Sequence, residues 1–450
     1  MTNRQPVMPR VIKRAFLRAV LLVCALLIPA CAASPAGRVL IVWHTFEGAR
    51  ERALLRLIDR FNTSNHDGIY IVPERRTRVA QHEAMLGNHL PHLALVSQAQ
   101  AALYDAHSQL TPLDTIIAAD ADAQHWGNTD RADLFPFVLR AGRNTRGQLV
   151  GLPMGGDMRV LLRNRDWASS ESLGDMPTTW EEFSKSCVAA LSQSGGFVCF
   201  ALTNPGLATG TTGDATFLEE WATVQGAPPY ALDTNTLRID TPQMAQAVSQ
   251  LLSYLQSGAA YRAQSSQRAL EDFAAGRVSY LSAPSSQIGQ VLALIRTQAK
   301  FNIDVGTWPV ATGASKPASL IAAPLWVIPK TTPVASRDAW RFVRWLLETD
   351  QTAQWAADTG EVPARASAVN ALNLDPTQVG LVSAEAARGA VLMRVAPYAL
   401  PLPVQSGWPC VQMKLADSLR QVTDGQSITD TLTLAQSSSQ DVLGTDCSNK

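Results

Sequence analysis

Neither sign of charge is in surplus in this 450-residue chain: 38 lysines and arginines meet 38 aspartates and glutamates. A nucleic-acid partner needs a basic face that neutralises phosphates, and no basic run follows the N-terminal segment. Long apolar runs are scarce too. The longest, Ala19–Ile28, falls short of the roughly 20 residues that span a bilayer. Enzyme signatures are missing: there is no G-x-S-x-G elbow and no H-E-x-x-H. The stretch "GLATGTTG" (206–213) lacks the lysine that would reach a phosphate. No Cys-x-x-Cys spacing marks a zinc site. His82, His89 and His92, in "QHEAMLGNHLPH", read as a solvated helix end and loop, so neither a metal nor a cofactor is expected. No carboxylate pair stands out as an acid–base couple. Internal repeats and low-complexity linkers are absent.

What is present begins with the first 31 residues. A basic head (Arg4, Arg10, Lys13, Arg14, Arg18) precedes the apolar run, and small residues close it at Ala30-Cys31, the layout of a secretory signal. "IPAC" resembles a bacterial lipobox, in which Cys31 would be acylated and become the new N-terminus. The mature chain is then expected outside the cytoplasm, on the membrane and not through it, since acyl chains contribute about 0.8 kcal/mol per buried methylene. Some 420 residues remain, too many for one core, and 46% apolar with 17% charged residues describes packed globular domains. Cys24 leaves with the signal. Cys187, Cys199, Cys410 and Cys447 are left, an even number that suggests disulfides in an oxidising compartment. Three pairings are open. The sequence-local one, Cys187–Cys199 and Cys410–Cys447, is favoured because the first pair flanks a short "LSQSGGF" turn.

Along the chain, "RVLIVWH" (38–44) reads as a strand. The helix after it repeats apolar residues at Ala53, Leu54, Leu57, Ile58 and Phe61, a period near 3.6. "GIYIVP" (68–73) is a second strand, and "LPHLALVSQAQAALYDA" (90–106) reads as strand, turn and helix. This βαβα order predicts a parallel sheet flanked by helices, which presents ligands at the carboxyl ends of its strands. "GQLVGLPMGGDMRVLLRNRDW" (147–167) reads as two extended runs around a corner. In "MPTTWEEF" (176–183), Thr179 and Glu182 are spaced as a capping box. Thr241 and Pro242 open a helix over 242–256. Residues 410–443 read as two helices around Gly425.

Taken in order, "IVWHTFEG…LIDRFN", "GQLVGLPMGGDMRVLLRNRD", "TTWEEF", "FAAGRVSYLSAPSS", "PLWVIPK", "AWRFVRWLLE" and "TGEVPARASAV" resemble the family 1 extracellular solute-binding proteins. These are the capture subunits of ABC importers for sugars and glycerol phosphates. The likeness runs from about Arg38 to Val442, and "WHTFEG" with "LWV" is most similar to the glycerol-3-phosphate-binding branch.

The resemblance implies an α/β, two-lobed periplasmic-binding-protein fold of type II with a ligand held between the lobes. It places residues 38–155 with 325–372 in the first lobe and 156–324 with 373–450 in the second. It implies a monomer that is not an enzyme and that delivers a small hydrophilic solute to an ABC permease. The ligand-contacting positions it carries over are Glu47, Ser97, Gln98, Asp157, Asn204, Ser285, Glu361 and Trp408. Carboxylates and amides suit sugar hydroxyls, and an aromatic face suits the C–H side of a sugar ring. The phosphate-binding members have a tyrosine where this chain has Glu361, and an arginine where it has "PVQSG". Three acidic candidates with only Arg159 nearby favour a neutral sugar or polyol over a glycerophospho compound. An extracytoplasmic glycan-acting enzyme is the rival of another class.

Overall fold

A computed structural model describes residues 38–120, 128–192, 197–203, 216–311, 313–314, 316–372, 389 and 394–447. Its fourteen strands begin with β1 (Arg38–His44), β2 (Ile69–Arg75) and β3 (Leu93–Val96), followed by β4 (Gly155–Asn164) and β5 (Val198–Thr203). A small hairpin, β6 (Tyr230–Ala231) and β7 (Thr236–Leu237), precedes β8 (Ala260–Ala263), β9 (Val278–Pro284) and β10 (Ile303–Gly306). The last are β11 (Ser319–Ala322), β12 (Leu325–Val327), β13 (Val362–Pro363) and β14 (Ala399–Pro401).

The first sheet has the order β12-β3-β1-β2. β1 lies parallel to β2 and β3, as the βαβα reading predicts. β12 departs from it by running antiparallel to β3, with Leu325 opposite Val96. The chain re-enters this sheet from the other one at the edge where β3 ends, so it can only run back along β3. All five periodic residues of the helix Gly48–Ser64 are buried.

The second sheet has the order β14-β11-β4-β9-β5-β8, with β10 and β13 also on β4. β5 is parallel to β8 and β9, while β4 is antiparallel to β9, β10 and β11. Residues 147–167 hold one long strand, not two. The run before β4 forms only isolated bridges, Arg143 to Leu149 and Leu152 to Trp326. The glycine pair in this stretch has a steric cause. A Cβ on Gly155 would lie 2.6 Å from the Val362 carbonyl oxygen, and one on Gly156 would lie 2.7 Å from Ile321. Only glycine lets β13 and β11 close on the start of β4.

Two apolar clusters hold the molecule. One runs from the first sheet through β4 to one face of the second, joining Leu40, Phe137, Trp326 and Phe342 to Phe273 and Ile295. The other covers the opposite face of the second sheet. There Phe183, Phe200, Trp221 and Trp308 pack ring on ring with centroids 5.4 to 5.8 Å apart. Such contacts contribute about 0.5–1.5 kcal/mol each beyond area burial.

The Thr179–Glu182 capping box forms: Glu182 N–H donates to Thr179 Oγ1 at 3.2 Å, and Thr179 N–H donates to the Glu182 carboxylate at 3.1 Å. Both favoured disulfides are present, Cys187–Cys199 and Cys410–Cys447, with Cα separations of 4.8 and 5.7 Å. The N-terminal segment with Cys31 lies outside the described residues.

Candidate functional site

β1 ends at His44, and Gly48, in the left-handed region at φ 61°, turns the chain into the helix Gly48–Ser64. Glu47 stands at the cap position with its side chain 80% exposed, 3.5 Å from Arg75. One turn on, Arg50 reaches away from its own sheet. Its Nε donates to Glu361 Oε1 at 2.5 Å and its Nη2 to Asp157 Oδ2 at 2.6 Å, with Ser286 Oγ at 3.5 Å.

Asp157 lies near the start of β4, and its oxygens also accept from Ser286 N–H at 3.0 Å, Ser286 Oγ at 2.6 Å and Ser285 Oγ at 3.3 Å. Ser285 and Ser286 directly follow β9. Glu361, in the turn before β13, is buried at 2% exposure and accepts from Trp355 Nε1 at 2.9 Å. Gly360 makes this approach possible. It holds φ at 79°, and a Cβ there would lie 3.0 Å from Ser286 Cα.

The electrostatics follow from burial. Loss of water pushes the Glu361 carboxyl above its usual range; the Arg50 charge pulls it back and Asp157 pushes it up further. Burial works against the Arg50 charge, yet Glu361 and Asp157 together hold it above the ordinary arginine value. One cation therefore faces two carboxylates. Beside Glu361, between Phe46, Met154 and Trp355, the packing leaves a cavity of only about 10 Å³. That is room for about one water molecule.

The structure thus brings Asp157, Ser285 and Glu361 together, three of the eight positions expected from sequence. Ser97 caps the helix Gln98–Ala106 by accepting from Gln100 N–H at 3.2 Å. Gln98 is 4% exposed, and its Nε2 has no partner among the described residues. Trp408 opens the helix Trp408–Thr423 at 2% exposure, within the second apolar cluster and edge-on to Tyr230 at 5.5 Å. Asn204 lies outside the described residues. Arg159, the cation nearest the hinge turn in sequence, donates to Glu220 at 2.8 Å and to Ser282 Oγ at 3.1 Å. His82 contacts Tyr104 and Asp446, and His92 Nδ1 accepts from Ile41 N–H.

Arg50 and Ser286 are the functional candidates that sequence reasoning missed. Arg50 does leave a trace. A basic residue in the first turn of a helix opposes the macrodipole, so an arginine there needs carboxylates from elsewhere.

Comparison with known proteins adds four matches. A family model described as "bacterial extracellular solute-binding protein" matches residues 56–378. The sn-glycerol-3-phosphate-binding periplasmic protein of Pectobacterium atrosepticum is 25% identical over 338 residues, covering 71% of this chain and 72% of that one. Among solved structures, the cyclic alpha-maltosyl-1,6-maltose binding protein from Arthrobacter globiformis superposes with a TM-score of 0.75 at 18% identity. The match covers 91% of this chain and 99% of that one. UgpB from Mycobacterium tuberculosis, solved in complex with glycerophosphocholine, gives a TM-score of 0.69 at 17% identity over 90% and 98%. At these identities the solved structures show a shared fold, the two-lobed one.

Proposed function

The chain belongs to the bacterial extracellular solute-binding proteins, and from that premise we propose that it captures a neutral sugar or polyol between its lobes for an ABC permease. The carrying observation is the Arg50 cluster. A guanidinium from the helix after β1 meets a carboxylate of β4, a serine that follows β9, and a second carboxylate in the turn before β13. Such a set offers donors and acceptors to vicinal hydroxyls. Phe46 and Trp355, with ring centroids 5.3 Å apart, supply an apolar side for C–H groups. The space left beside Glu361 is far smaller than a sugar, so a ligand enters by parting the lobes or displacing Arg50.

The lobes in this reading are 38–155 with 325–372 and 156–324 with 373–450. The pairing of β12 with β3, and the start of β4 at Gly155, support those boundaries. Glu47 and Gln98 are the further contacts this reading takes from the first lobe. Cys31 carries the lipid that keeps the protein on the extracytoplasmic face of the membrane, a reading supported by the lipobox-like "IPAC" behind an apolar run.

A glycerophospho ligand is the second reading, favoured by the relatives that bind sn-glycerol 3-phosphate. The charge balance weighs against it. Two carboxylates on one arginine leave no unpaired positive charge for a phosphate, and like charges in a desolvated cleft repel. A thermal-shift screen of sugars, polyols, glycerol 3-phosphate and glycerophosphocholine tests the choice. A neutral sugar or polyol should raise the melting temperature, and Asp157→Asn should weaken its binding about ten- to a hundredfold. A shift with phosphorylated compounds alone would favour the second reading.

A further inference from the structure

A cavity of about 430 Å³ lies apart from the Arg50 cluster. That cluster sits where β9 and β13 meet β4, whereas the cavity is walled by Leu320 of β11 and Leu400 of β14, beyond the other edge of β4. The two share no residue.

Its interior combines two kinds of surface. Pro229, Pro401 and the two leucines form an apolar wall. Glu219 and Thr223, one turn apart on the helix Phe217–Val224, bring polar groups to it, each residue 3% exposed. Glu219 Oε2 accepts from Gln412 Nε2 at 2.7 Å. Thr223 Oγ1 is fully buried without a hydrogen-bond partner among the described residues. A buried hydroxyl left unpaired is costly, and its cost is relieved by a ligand group that pairs with it. At the rim stand two exposed arginines, Arg140 from the helix Pro136–Ala141 and Arg238 after β7. Neither guanidinium has a carboxylate partner among the described residues. The rim carboxylate, Asp233, accepts from Thr234 N–H at 3.0 Å.

We propose that this cavity is a second binding site, for a small carboxylate with an apolar body and a distal hydroxyl. The carboxylate pairs with Arg140 and Arg238, the body lies along the proline and leucine wall, and the hydroxyl meets Glu219 and Thr223. The volume and the mix of apolar wall with few polar anchors are those of small-molecule pockets. Charged hydrogen bonds at the rim favour an anion there, and the buried acid and hydroxyl favour a neutral group inside.

Isothermal titration of the full-length protein in detergent with 4-hydroxyphenylacetate tests this. Saturable one-to-one binding is expected. Phenylacetate, which lacks the hydroxyl, should bind about tenfold more weakly, and so should 4-hydroxyphenylacetate to the Arg140→Ala/Arg238→Ala variant. Both arginines are exposed, so an unchanged melting temperature verifies the fold. Asp157→Asn should leave this binding unaltered, while Arg140→Ala/Arg238→Ala should leave solute binding at the lobe junction unaltered, so the two sites fail separately. No saturation up to about 5 mM, below the range of useful affinity, overturns the proposal. So does binding lost in Asp157→Asn but kept in the double arginine variant, or equally tight binding of the amine 4-hydroxyphenethylamine.

Discussion

Arg50 and Asp157 are 107 positions apart in sequence and meet at 2.6 Å where the two sheets join. The first belongs to the helix that follows β1 and the second to β4, so their contact ties one sheet to the other at the candidate site. Glu361, 311 positions from Arg50, completes the bridge from the turn before β13.

Removing the cation should expose the cost of this arrangement. Arg50→Met leaves Glu361 buried beside Asp157 with no counter-charge. A fully buried broken pair costs about 3–5 kcal/mol. The Arg50 side chain is 37% exposed, so solvent screening lowers the expected loss to about 1–2 kcal/mol. Combining it with Glu361→Gln should recover most of that loss. Denaturant melts of both single variants and the double variant check this, and additive losses would mean that the two residues do not interact.

A second expectation concerns pH. Burial pushes the Glu219 carboxyl up to about 7 from an ordinary 4.5, against the pull of Gln412. The folded state therefore holds a proton that the unfolded state releases. The associated stability is fully present below about pH 4.5 and is lost as pH rises towards 7, amounting to about 3 kcal/mol. Glu361 is raised as well and acts in the same direction. Asp133 and Asp272 are lowered, so their contribution is lost only in acid, below the ordinary aspartate range. Between pH 5 and 8 the melting temperature should fall more steeply for the parent protein than for Glu219→Gln. Parallel curves would mean that Glu219 titrates normally.

How much of this could be read from the residues alone depends on the range of the interaction. The helix Gly48–Ser64, the Thr179–Glu182 box and the cap at Thr241 rest on neighbours three or four positions apart, and all appear as read. The disulfide pairs were also within reach, because Cys187 and Cys199 stand only 12 positions apart in sequence. The antiparallel entry of β12 was not legible, since it depends on where the chain returns from the other sheet. The Arg50 cluster depends in the same way on three distant segments meeting. Trp408 illustrates a further limit. The large apolar surface that suits a sugar-stacking face suits a core position equally, and neighbouring residues do not distinguish them.

The two disulfides should differ in what they hold. In the chain-entropy account, closing loops with sequence separations of 12 and 37 contributes about 3 and about 4 kcal/mol respectively. Cys410–Cys447 also anchors Asp446, whose carboxylate lies 2.9 Å from Nε2 of the buried His82. His82 belongs to the helix Arg78–Leu86, between β2 and β3 of the first sheet, so the bond secures a contact from the chain's end to that part of the molecule. Cys410→Ser/Cys447→Ser should therefore lose more stability than Cys187→Ser/Cys199→Ser and should speed amide exchange in the helix Arg78–Leu86. Equal losses, with exchange in that helix unchanged, would leave the Cys410–Cys447 bond a purely local clamp.

Trp408 provides the sharpest separation of binding from stability. At 2% exposure, edge-on to Tyr230 and within the cluster that contains Val411 and Leu415, its ring fills core volume at the start of a helix. Trp408→Ala should cost about 3–5 kcal/mol through lost burial and the cavity left behind. Trp408→Phe, which keeps an aromatic ring but removes volume, should cost less. Asp157→Asn should show the reverse pattern, with weakened solute binding and a far smaller change in stability. Affinities measured well below each variant's melting temperature keep the two effects apart. If Trp408→Phe instead melts like the parent but binds the solute tenfold more weakly, the ring faces the ligand when the lobes open, and the cleft extends beyond the Arg50 cluster to the start of this helix.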